Sequence, residues 1–163
     1  MSDFYTEQLV KRKTPGSAAA LKVLLILVTV LSVALVFIIP FAIIAPVIMV
    51  CVDFFLFRNM DLEYEYLYVN GNLDIDKIMA KAKRKRVFEM NVNDMEVIAP
   101  AGAPELRQYQ GLKSENYSSC TAGAKLYEMV VIQNGTKKRI IFEPNSVILD
   151  GLRMLAPRKV FLS

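Results

Sequence analysis

Five basic residues in six positions, Lys81, Lys83, Arg84, Lys85 and Arg86 in the run KAKRKR, carry the sharpest chemical signal in the sequence. Ammonium and guanidinium groups at that density suit phosphate. On a membrane-bound chain the nearest phosphates are lipid headgroups, and each Lys or Arg near an anionic bilayer contributes about 1 kcal/mol. The simpler account is a solvated turn between two strands, kept positive for topology. Nucleic acid is not expected as a partner, because no aromatic stripe is interleaved with the charge. A second patch, Lys137, Lys138 and Arg139, reads as charge protecting an edge strand.

Other reactive residues point away from catalysis. Asp74 and Asp76 share one strand face, and Asp94 and Glu96 share another. Paired carboxylates bind cations or move protons, yet no calcium-site spacing surrounds them, so ordinary polar faces are the expectation. Ser118-Ser119-Cys120 offers nucleophiles without a base, since the chain has no histidine. No metal site, cofactor or enzyme activity is expected. Cys51 lies in an apolar stretch and Cys120 in a polar one, so two free thiols are expected.

Positioning begins with the apolar stretch from Leu21 to Phe57. Between Val23 and Val52 it holds 30 residues without a charge, beyond the 18 or so of a spanning helix. A straight helix of that length measures about 45 Å against a hydrocarbon core of about 30 Å. Pro40 and Pro46 interrupt it. A transmembrane hairpin resolves both problems, with arms at about 18–39 and 41–57; the competing expectation is a single tilted span. Lys11, Arg12, Lys13 and Lys22 precede the stretch, and Arg58 and the 81–86 run follow it. A hairpin puts all of them on the cytoplasmic face, as the positive-inside rule prefers. Lys22 and Asp53, one on each arm, form a candidate pair near that interface, with separate contacts to headgroups as the alternative.

Residues 1–17 read as a cytoplasmic tail. One reading is a short amphipathic helix capped by Asp3 and ended by Thr14-Pro15-Gly16, with Phe4, Tyr5, Leu9 and Val10 as its apolar face. The other is a frayed tail.

Residues 58–163 form the remaining domain. LEYEYLY alternates with period two, and Asn70-Gly71 then signals a hairpin into LDIDKIM. RVFEMNV and Met95–Ala99 follow as strands. A further strand is expected within Glu105–Gln110, with another element near Tyr117. Asn134-Gly135 centres a second hairpin. At the end, Ile148, Leu152 and Leu155 fall on one face of a helix at 145–156, with Asn145 as N-cap and Pro157 as stop.

The segments DFYTEQLVKRK, EYEYLYVNGNLDIDKI, KRKRVFEM, and IFEPN through APRKV resemble a bacterial membrane protein family known as a domain of unknown function. The order of elements resembles bacterial PH-like proteins with an N-terminal transmembrane hairpin. The resemblance implies an α+β chain: the hairpin, then a PH-like antiparallel sheet or barrel of six or seven strands with a C-terminal helix. It supplies no activity and no catalytic residue. The expected role is a non-enzymatic module at the inner face of the cell membrane, for protein interaction or self-association. The alternative is anionic-lipid sensing through residues 81–86.

Overall fold

The computed structural model describes residues 5–162. Among them are eight strands and three α-helices. In chain order these are β1 (Tyr5–Lys11), α1 (Gly16–Ile38), α2 (Ile44–Met60), β2 (Leu62–Val69), β3 (Asn72–Met79), β4 (Lys83–Asn91), β5 (Met95–Pro100), β6 (Ser114–Asn116), β7 (Tyr127–Gln133), β8 (Thr136–Phe142) and α3 (Ser146–Leu155). They divide into two compact units. The helical unit holds residues 13–62 and 79–83; the sheet unit holds 5–12, 63–78 and 84–162.

In the helical unit, a 3-10 turn over Pro40–Ile43 joins α1 to α2. Pro46 sits in the first turn of α2, where a proline lacks no needed N–H, so it does not break the helix. The less exposed residues of α1 are Ala18, Lys22, Leu25, Thr29, Ser32 and Val36. Their spacing of four, three, four, three, four is a 3.5-residue seam. In α2 the less exposed residues are Ala45, Pro46, Met49, Asp53, Leu56, Phe57 and Met60, and Met49, Asp53, Leu56 and Met60 repeat the four, three, four spacing. Small residues in both seams let the helices approach closely. The large side chains that face outward between Val23 and Phe55 are apolar; Phe37 and Phe41 near the turn are 88% and 92% exposed. By length and composition, both helices suffice to cross a membrane.

The sheet unit contains two four-stranded sheets, ordered β1-β2-β3-β4 and β5-β7-β8-β6. Alternation dictates their inner faces: Tyr64, Tyr66 and Tyr68 from β2 and Leu73 and Ile75 from β3 meet Met129, Val131, Ile140 and Phe142 from the other sheet. Each such side chain, fully buried, contributes about 1.5–3 kcal/mol. Helix α3 adds Ile148, Leu149 and Leu152 to this core, and the Asn145 side chain caps it by accepting from the Ile148 N–H at 2.9 Å. Leu155, expected on the buried face, is 54% exposed, and Leu149 is buried instead. Asn70-Gly71 and Asn134-Gly135 make the expected turns, all four residues with positive φ.

Several expectations are corrected. The tail is neither helix nor frayed over its described residues: it is β1, paired antiparallel to β2 from Tyr5↔Val69 to Lys11↔Glu63. Its alternation was hidden because its inward residues are Thr6, Gln8 and Val10, while Tyr5 and Leu9 face outward. Gln8 replaces apolar packing with hydrogen bonds, donating to the Glu143 carbonyl and accepting from the Asn145 N–H, both at 2.7 Å. Asp3 and Phe4 lie outside the described residues.

Glu105–Gln110 is not a strand. Pro104–Tyr109 is a 3-10 helix whose Leu106 and Tyr109 cover Val97, Ala99 and Val130 on the outer face of the second sheet. A register shift between Met95 and Val97 turns those β5 residues outward while Met95 and Ile98 stay in the main core. Near Tyr117 the chain adds β6, which runs parallel to β8, so the sheets are not wholly antiparallel. It covers Arg139–Ile141, so edge protection does not explain Arg139, whereas Lys137 and Lys138 precede the covered stretch of β8. Lys137 pairs with Glu96 at 2.8 Å and Arg139 with Glu128 at 3.5 Å.

Candidate functional site

Among the described residues, the basic run divides between paired arginines and unpaired lysines. Residues 79–83 belong to the helical unit, and 84–86 to the sheet unit. Strand β4 begins at Lys83, so the run is mostly strand rather than turn. Arg84 reaches Glu65 at 2.6 Å, and Arg86 reaches Asp74 at 3.0 Å and Asp76 at 3.2 Å. The carboxylates on β2 and β3 therefore neutralise both arginines. Asp76 is 92% buried by this packing. The acids raise Arg86 above its ordinary pKa, chiefly through the Asp76 hydrogen bond. Asp74 is nonetheless pushed up, because its burial outweighs the attraction of Arg86. Lys81, Lys83 and Lys85 are exposed and form no ion pair among the described residues.

Strand β4 is the edge of its sheet. Beside it lies a groove of about 1020 Å³ bounded by the β7–β8 hairpin, with Leu67, Asn72, Phe88, Glu115, Gln133 and Lys138 among its walls. Side chains stand where a partner strand would lie. The Gln133 amide donates to the Glu89 carbonyl. The Tyr117 hydroxyl faces Glu115 at 2.6 Å and the Val87 carbonyl at 3.3 Å. Burial first, and Glu115 second, raise the pKa of that hydroxyl. Residues 87 and 89 point their backbone groups to the same edge, as alternate residues of a strand do. Asp74, Glu89, Asp94 and Glu115 outnumber Arg86 and Lys138 around the groove, so its field favours a cation.

The expected Lys22–Asp53 pair is not formed. Thr29 Oγ1 donates to Asp53 Oδ2 at 2.6 Å. In an antiparallel pair, Lys22 lies seven residues, or about 10 Å, from the level of Thr29. Its ammonium instead sits 5.7 Å from the centre of the Phe57 ring. The second oxygen, Asp53 Oδ1, is buried without a hydrogen-bond partner among the described residues.

The remaining candidates have structural partners. Asp94 completes a capping box with Asn91. Ser119 Oγ donates to Glu143 Oε1 at 2.7 Å, and Ser118 Oγ to Asn116 Oδ1 at 2.7 Å. Cys51 and Cys120 are free and exposed. Among the described residues no group of three or more His, Cys, Asp or Glu side chains is placed to hold a metal ion.

The scaffold of these residues is two four-stranded sheets with a capped C-terminal helix. The family described as bacterial PH-like domain (DUF6106) matches residues 2–162. The chain belongs to this family. As a bacterial PH-like domain of unknown function, it inherits a fold and no assigned chemistry. No curated protein and no solved structure matches it. Within this PH-like chain, sequence reasoning missed the β4 groove, because the groove depends on two sheets meeting. The one available signal was the glutamine in the otherwise apolar VVIQNG hairpin arm, where Gln133 now holds the edge of β4.

Proposed function

We propose that this chain is a non-enzymatic, membrane-anchored PH-like module that holds a protein segment at the inner face of the cell membrane. The observation that carries this reading is the groove beside the β4 edge. A strand edge held only by side chains accepts an extended peptide by exchanging those bonds for main-chain ones. The acidic surplus around it suits a segment bearing lysine or arginine, from a partner or from a second copy.

Anchoring is supported by the apolar exterior of α1 and α2. Two spans rather than one are supported by the β1–β2 ladder. The strands that precede and follow the helices in sequence are hydrogen-bonded neighbours, so both ends of the apolar stretch belong on one side. The basic residues flanking it favour the cytoplasmic side.

Photo-crosslinking in cells tests the groove. A crosslinker at Asn91 or Lys138 is expected to trap a discrete protein, and one at Arg107 is not. Background-level adducts at both groove positions would sink the proposal. Topology is tested separately at Cys120, which is exposed. An impermeant maleimide should label it only after the cells are opened; labelling of intact cells would refute the cytoplasmic placement.

A further inference from the structure

Among the described residues three hairpin turns adopt positive φ, and two of these have residues suited to it. Asn70-Gly71 and Asn134-Gly135 occupy two of them, and Asn and Gly enter that region readily. The β3–β4 turn places Ala80 at φ 49° and Lys81 at φ 53°. Both carry a β-carbon and neither has the short polar side chain that eases this conformation. Strain of this kind persists where surrounding structure enforces it. Here the Ala80 N–H donates to the carbonyl of Asp61, the residue that ends α2, at 2.9 Å. The Ala82 N–H closes the turn on the Met79 carbonyl at 3.1 Å. The turn thus belongs to the same compact unit as the two helices.

That anchorage has a chemical consequence. Lys81 and Lys83 are exposed and form no ion pair among the described residues, whereas Arg84 and Arg86 are neutralised by Glu65, Asp74 and Asp76. Arg58 lies in the last turn of α2, three residues before the carbonyl that holds the turn. It offsets the partial negative charge of the helix end.

We infer that Lys81, Lys83 and Arg58 form a binding site for the phosphate of an anionic lipid headgroup, set at the membrane-surface end of α2 by the strained turn. The inference rests on the membrane anchoring proposed above and names a ligand for that end of the hairpin. Two ammonium groups and one guanidinium fork, carried on a turn and a helix end joined by the Ala80–Asp61 hydrogen bond, supply the donors that phosphate oxygens take. The 81–86 run is then two devices: lysines for headgroups at its start, and arginines for the sheet at its end.

The full-length protein in neutral detergent provides the test, with bound lipid counted by native mass spectrometry. Phosphatidylglycerol should be retained over phosphatidylcholine, and salt should weaken its retention. Lys81→Gly relaxes the turn and removes a charge, whereas Ala80→Asn relaxes the turn and keeps it. Lys81→Gly and Lys83→Gln should each weaken phosphatidylglycerol binding about fivefold, and about 25-fold together. Ala80→Asn should leave binding intact and raise the thermal midpoint. Undiminished binding by the double variant overturns the inference, as does equal retention of both lipids. Displacement of phosphatidylglycerol by inorganic phosphate at matching concentration would make the ligand a soluble phosphate ester and overturn the lipid assignment. Cys120 labelling separates the two readings: correct topology with no headgroup preference defeats this site alone.

Discussion

Gly151→Ala sets two known effects against each other. In an exposed helix the change gains about 1 kcal/mol, because alanine is the better helix former. Gly151 is not exposed. A β-carbon built there lies 2.4 Å from Cε1 and 2.9 Å from Cζ of Tyr68. Ordinary carbon contacts are about 3.5–4.0 Å, so the ring would have to move by about 1 Å. Tyr68 is 0% exposed and packs among both sheets, which leaves it no outward path. Overpacking of this kind costs about 1–3 kcal/mol, and a contact so short belongs at the upper end. Subtracting the helical gain leaves a net loss of about 1–2 kcal/mol. In a domain of about 100 residues that lowers the thermal midpoint by about 5–15 °C. Thermal unfolding of the full-length protein in detergent, followed by circular dichroism, reads the shift. Asp150→Ala, on the exposed side of the same helix, controls for propensity and should not destabilise. Tyr68→Leu should lose stability alone, yet cost less in the Gly151→Ala background, with a coupling of at least about 1 kcal/mol. A Gly151→Ala protein as stable as the parent, or strictly additive costs in the double variant, would refute the close-packing argument.

Gln8→Ala should destabilise the protein by about 1–3 kcal/mol, since it leaves the Glu143 carbonyl and the Asn145 N–H without their partner; unchanged denaturant midpoints would contradict the role given to β1. Thr29→Val and Asp53→Leu should couple by about 0.6–1.7 kcal/mol in a double-mutant cycle on thermal stability in micelles, and zero coupling would mean that their hydrogen bond does not hold the helices in register. Glu96 is held below its ordinary 4.5, first by the hydrogen bond from Lys137. A depressed carboxyl contributes stability that is present above its ordinary pKa and lost as pH falls through the folded value. Lys137→Met should therefore flatten the loss of stability on acidification below pH 4.5, and an unchanged acid limb would count against the pairing.

The sequence by itself determined whatever local rules control. Thirty uncharged residues specify apolar helices, Asn-Gly specifies a turn with positive φ, and Asn145 followed by an apolar stripe specifies a capped helix; these signals need only neighbours a few residues away. The resemblance across the chain carried the family and the PH-like fold in the same way. Tertiary structure decided the rest. Tyr5–Lys11 became a strand because a partner 52 to 64 residues on offered a ladder; its own outward apolar residues argued otherwise. The KAKRKR run divided because carboxylates on two other strands lay within reach of alternate side chains. Asp53 found Thr29 rather than Lys22 because helix register, not charge, sets which residues are level. The need for glycine at 151 comes from Tyr68, whose ring packs against it. In each case the deciding partner is distant along the chain, and only packing brings it near.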